Sequence, residues 1–171
     1  MSTVGFSKAF ESAVPVRLSW NPVLDVKIST PASLAIMKLV AWDEKYPERA
    51  DDAKDVLFLM KEYINAGNDT RLYAQDADIR AMKDFDYDMA SPRLLGRDMR
   101  KVADTEALIA LRRILDEETK DDSYYRLVLD MTYGELNDEG LFEDTLNLVK
   151  QLRAGAFDID MTNPTCSSSD D

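Results

Sequence analysis

Pro31-Ala-Ser-Leu-Ala-Ile-Met-Lys-Leu-Val-Ala-Trp42 is apolar nearly all round, and Lys38 is its only charge. A helical segment with no polar stripe is buried on several sides. Thr30 is a fair N-cap and Pro31 suits the first helical position. The stretch therefore predicts a central helix, and the fold is read outward from it. Directly after it comes the acidic run Glu48-Arg-Ala-Asp-Asp-Ala-Lys-Asp55, which leads into Val56-Leu-Phe-Leu-Met60. A lysine in an apolar helix is costly unless its ammonium reaches water or a carboxylate. Asp52 and Asp55 are three residues apart and share a helix face, so either can meet Lys38 across a helix–helix contact.

Upstream, the first thirty residues read as extended. Val14-Pro-Val-Arg-Leu-Ser-Trp20 and Leu24-Asp-Val-Lys-Ile28 alternate apolar with polar residues, and Asn21-Pro22 between them signals a turn. Two strands alone bury too little to be stable and call for a helix or further sheet to lie against. Downstream the pattern is helical. Pro47 opens a helix that runs to about Ala66 and ends at Gly67; a weaker helix covers Asp69 to about Asp84. Ser91-Pro92 starts one carrying Leu94, Leu95, Met99 and Val102. Asp104 or Thr105 caps the next, with Leu108, Leu111, Ile114 and Leu115. Further helices span Tyr124 to Tyr133 and Leu141 to Leu152. The expected fold class is α+β, mainly α. It divides into an extended β segment at 1–30, a helical domain at 31–155, and a flexible acidic tail at 156–171.

Composition narrows the chemistry. The chain has 171 residues, 45% of them hydrophobic, which suits one modest core. A formal net charge of −12 favours solubility and opposes wrapping a polyanion. With no histidine, serine–histidine and cysteine–histidine catalysis are excluded within the chain. Cys166 is the only cysteine, so no internal disulfide forms. No apolar stretch reaches spanning length and the start is not a signal peptide, so no membrane role and a cytoplasmic location are expected.

Several motifs carry both a chemical and a plain reading. Lys38 with Asp52 and Asp55 could bind a triphosphate and accept a proton from an attacking hydroxyl, or could be a lysine reaching water beside acids that satisfy a helix dipole. Arg93, Arg97, Arg100 and Lys101 form the main basic stripe. It could touch phosphates of RNA or of a nucleotide, or could be a solvated face partly paired with Asp98 and Asp104. Asp84-Phe-Asp-Tyr-Asp88 fails as a calcium loop, since Met89 and Leu95 stand where glycine and a carboxylate are needed. Asp158-Ile-Asp160 has the spacing of a magnesium pair but lies beside the polar tail, with no glycine–serine turn before it. No metal ligand set is assigned.

Taken together, Pro31–Trp42, Arg49-Ala-Asp-Asp-Ala-Lys-Asp-Val56 and Tyr63 resemble the second half of the nucleotidyltransferases related to the AbiEii toxins. That family shows a helix ending Lys-Leu-x-Ala-Trp, an arginine, then Lys-Asp-Ala-x-Asp-Leu and a later tyrosine. Leu94-Leu-Gly-Arg-Asp98 is also similar, and the resemblance covers about Gly5 to Leu115. It implies that Lys38 and Asp52 are active-site residues, with Asp55 as a supporting acid and Lys38 as the nucleotide contact. It implies magnesium and an NTP as cofactors, and transfer of a nucleoside monophosphate to an RNA or protein acceptor. It further implies an antitoxin partner and a hairpin that forms the edge of a palm sheet. Two departures stand out: Asp51 replaces the family's lysine, and no Gly-Ser turn with Asp-x-Asp precedes Lys38. The chain is therefore expected to be the C-terminal portion of such an enzyme or a shortened relative, inactive alone, and to need the missing half as a partner. The alternative is a non-catalytic helical interaction module derived from that family.

Overall fold

A computed structural model describes residues 6–83, 85–134 and 140–158. Its architecture is α+β and mainly helical: one antiparallel hairpin near the N-terminus, followed by a packed set of helices. The hairpin pairs β1 (Val14–Trp20) with β2 (Val23–Ile28), with Val14 opposite Ile28 and Trp20 opposite Val23, and an irregularity between Arg17 and Ser19. No residue of either strand is buried. The expected alternation holds only as far as Arg17: past the irregularity Ser19, opposite Leu24, joins the face of Val14 and Val16, while Trp20, opposite Val23, joins that of Arg17.

The segment before the hairpin is not extended throughout. Phe6–Glu11 forms a short helix, α1. Ala9 buries its methyl and the Ser12 hydroxyl meets that of Ser33 at 2.8 Å, which docks α1 on the next helix.

That next helix, α2 (Pro31–Glu44), forms as its sequence demands: the Thr30 hydroxyl accepts from the Ser33 N–H and Pro31 opens the first turn. Ala35, Ile36, Leu39 and Trp42 are buried along it. Its neighbour α3 (Asp51–Glu62) starts later than Pro47. Residues 47 to 53 wind through tight three-residue bonds, with Ala50 N–H donating to Pro47 and Asp52 N–H to Arg49. Gly67 terminates the region with φ +89°, a conformation open to glycine. The weak helix expected over Asp69–Asp84 is instead a 3-10 turn (Asp69–Tyr73) and the single-turn α4 (Ala77–Arg80). Arg71 draws the Asp76 carboxylate back to itself at 2.9 Å and breaks the run.

The rest is built on α5 (Tyr87–Val102), α6 (Thr105–Thr119), α7 (Arg126–Thr132) and α8 (Leu141–Phe157). α5 begins at Tyr87, not Ser91, because Asp86 caps it by accepting from the Asp88 N–H. Pro92 therefore lies inside the helix. Ser91 uses its hydroxyl to accept from Ile64 N–H and donate to the Met60 carbonyl. Asp104 caps α6 as expected. α8 outruns its expected end: Ala156 and Phe157 are buried helical residues, not the start of a tail. The reason is the close crossing of α5 and α8. A methyl at Gly96 would overlap the Leu152 carbonyl, and one at Gly155 the Arg93 carbonyl. Glycines at both points let the backbones touch and bring Leu94, Leu95, Met99, Val149 and Leu152 into one core. Each fully buried leucine there contributes about 1.5–3 kcal/mol. Among the described residues no helix is long and apolar enough to cross a membrane. Asp84, Asp160 and the remainder of the expected tail from residue 159 lie outside the described residues.

Candidate functional site

α2 and α3 pack side by side, and their contact holds the charged residues singled out in the sequence. Lys38 Nζ donates to Asp52 Oδ1 at 2.9 Å and lies 2.5 Å from Asp55 Oδ2. Arg49, in the winding turn before α3, donates through Nε to the other oxygen of Asp52 at 2.6 Å. Asp52 is the hub: its side chain is 7% exposed and is bonded on both oxygens. Asp55, one turn on, is half open to solvent, and Asp51 is exposed at the first turn. Lys38 itself is 20% exposed. An ammonium has three N–H donors, and two are used, so one direction remains for a further acceptor.

Burial works against the Lys38 charge, but its bonds to Asp55 and Asp52 outweigh that and hold its pKa above the ordinary lysine value. Burial likewise opposes the Asp52 carboxylate, and Arg49 and Lys38 together overcome it, holding the acid below the usual carboxylate range. Both groups are thus charged over the whole physiological range. Two cations and two carboxylates sum to zero. The cluster is an internal ion network with one open donor, able to hold a single anionic oxygen, and it is not a general base poised near neutrality.

The acids do not fit magnesium. Asp52 is saturated by two cations, Asp55 faces the ammonium, and no group of three or more potential ligands stands together among the described residues. No step through a metal is assigned to them.

The basic stripe on α5 is committed within the chain. Arg93 donates to Gln151 Oε1 at 2.9 Å, and Arg97 to the carboxylates of Asp76 and Asp78. Arg100 donates to the Ala156 carbonyl at 3.1 Å, and Lys101 to Asp98 Oδ1 at 2.9 Å. Arg93 and Arg97 are mostly covered; Arg100 and Lys101 are exposed. The stripe and the Lys38 cluster do not meet as one surface in any of these bonds.

Sequence reasoning missed a second network. Arg71 bonds both Asp98 and Asp76, Tyr63 donates its hydroxyl to Asp98 at 2.5 Å, and Arg97 extends the network by donating to Asp76. Burial, and then the bond to Asp98, push the Tyr63 hydroxyl well above its ordinary pKa. Asp98, opposed by burial, is held low by Arg71, Tyr63 and Lys101. No spacing rule links Arg71 to Asp98 across 27 residues. Arg49 was findable, since it stands three residues before Asp52.

With this geometry in hand, no family model, no curated protein and no solved structure matches the chain.

Proposed function

We infer that this chain is the helical portion of a nucleotidyltransferase-like protein of the AbiEii-toxin-like kind, in which Lys38 contacts the triphosphate of an NTP. The observation that supports this is the interhelical bond from Lys38 to Asp52 at 2.9 Å, which fixes an ammonium with one donor to spare. Asp52 and Asp55 position that ammonium. The reaction class is transfer of a nucleoside monophosphate to an RNA or protein acceptor with release of pyrophosphate, once a palm segment supplies the magnesium ligands that these acids cannot provide. The chain alone is expected to bind NTP weakly and to transfer nothing.

A second reading is a non-catalytic helical interaction module, whose partner is an antitoxin or another protein. The neutral sum of the four charges at the α2–α3 contact favours it, because a network that satisfies itself needs no ligand.

Labelled-NTP binding and transfer by the purified 171-residue chain separate the two. Under the first reading NTP binds, and Lys38→Met weakens binding roughly tenfold or more, the effect of losing a hydrogen bond from a charged donor. Helical circular dichroism verifies that the variant is folded. Absent NTP binding, or binding indifferent to Lys38→Met, leaves the interaction module. Robust incorporation of label overturns the assignment of inactivity.

A further inference from the structure

One face of the hairpin carries a row of apolar side chains that are exposed or half-buried. Val14, Leu24 and Ile28 are about half exposed, and the register puts Val16 and Val26 on the same face. Exposed apolar surface of this kind marks an interaction site. The two strand edges are not equivalent. β1 is interrupted by Pro15, which has no N–H, and by the irregularity at Leu18; both are devices that blunt an edge. β2 has neither. Its residues Val23 to Ile28 are exposed or half-buried, and among the described residues no further strand pairs with them.

The sequence of β2 also fits its own reversal. Placed antiparallel to a second β2 about a two-fold axis at Val26, Asp25 of each copy falls opposite Lys27 of the other, and Leu24 opposite Ile28. Centring on Asp25 or on Lys27 instead sets like charges face to face. A slip by one residue turns the apolar side chains to the opposite face. Within the hairpin Asp25 already accepts from Arg17 at 2.7 and 2.8 Å, while Lys27 lies 4.1 Å from the Phe10 ring centre and pairs with no carboxylate among the described residues. The second copy supplies one. The wider electrostatics agree. Residues 6–30 hold three cations (Lys8, Arg17, Lys27) against two carboxylates (Glu11, Asp25), in a chain of net charge −12. Two copies meet here without the repulsion their acidic surfaces impose elsewhere.

We propose that β2 is a self-association edge: two copies of this chain pair antiparallel through β2 about Val26, forming a four-stranded sheet with reciprocal Asp25–Lys27 ion pairs. The pairing concerns the 171-residue chain by itself and is tested separately from the Lys38 site. A six-residue edge is small beside the ~800 Å² per partner of a standard interface, so the dimer is concentration-dependent and of modest affinity.

Sedimentation velocity of the full chain, from low micromolar to sub-millimolar concentration, tests this. A reversible monomer–dimer equilibrium is expected, and a monomer throughout overturns the proposal. Lys27→Asp sets two like-charge pairs across the seam and is expected to weaken the dimer roughly tenfold or more. An unchanged constant overturns it. Helical circular dichroism confirms that the core of the variant is intact. The double variant R17E/D25K keeps an ion pair inside the hairpin but presents two lysines at the edge, so it too is expected to be monomeric. Mixing it with Lys27→Asp restores every cross-seam pair. A heterodimer of near-parental affinity is the expected result, and failure to form one overturns the register. Val26→Cys in a Cys166→Ser background is expected to cross-link two chains on mild oxidation, because directly opposed strand residues lie within disulfide reach. No cross-link at concentrations that support the dimer also overturns it.

Discussion

Glu118 is buried to 2% exposure with one oxygen accepting from the Leu127 N–H at 2.9 Å, which anchors the start of α7. Burial raises its pKa; the Leu127 N–H and Arg126, 3.9 Å away, offset this only in part, and Glu117 and Asp130 add to the rise. A raised carboxyl contributes most below its unfolded pKa, and that contribution is lost as pH rises toward the folded value. Asp52 and Asp98 act in the opposite sense: their lowered pKa values give stability above the usual carboxylate range that is lost as pH falls through the folded values. Lys38, raised, contributes until strongly alkaline pH. The protein is therefore expected to lose stability on acidification, with Glu118 moderating the loss. In Glu118→Gln the thermal midpoint should fall more steeply with acid than in the parent, and equal slopes in a pH series would refute the raised value. The meeting of Lys38 and Asp52 was legible from the sequence because the cost of an isolated buried ammonium demands a partner, and the nearest acids lay on the adjoining helix.

The Arg71–Asp98 network fastens the 3-10 turn and α4 onto α5, two elements too short to hold themselves. Asp98→Ala removes the acceptor of the Tyr63 hydroxyl and one of the two carboxylates that hold Arg71, leaving Asp76 as the other. Losing these part-buried, charge-assisted bonds is expected to cost about 1.5–3 kcal/mol, measured by urea unfolding, and to release the 3-10 segment to protease before the core unfolds. A loss below about 0.5 kcal/mol would place these charges among ordinary surface pairs. At this scale sequence reading succeeded where periodicity and caps coincide, as at Thr30-Pro31 and Asp104. It failed where side chains from distant segments decide the backbone. Asp69–Asp84 carries enough helical pattern to suggest one helix, yet Arg71 and Arg97 draw Asp76 into the network and split it in two. Pro92 reads as a helix start by propensity, and only the cap at Asp86 shows the chain already helical before it.

For the molecule as a whole, the α5–α8 crossing is the axis on which the other helices are arranged, and it depends on two missing methyl groups. Gly155→Ala forces a Cβ onto the Arg93 carbonyl and is expected to cost roughly 1–3 kcal/mol in urea unfolding. Unchanged stability would mean that the helices separate there without cost. The class of fold, a hairpin followed by helices, was visible in the patterning alone. The depth of α8 in the core was not, because glycine and alanine toward the end of a sequence read as loss of pattern until a facing glycine on α5 explains them. The hairpin has the reverse character. None of its residues is buried, so its amides are free to exchange with deuterated solvent by fraying alone, on a timescale unconnected to global unfolding. Deuterium uptake by β2 should therefore fall as the protein is concentrated while uptake by α5 and α8 stays constant, making the ribbon a built-in gauge of how often two molecules have found each other.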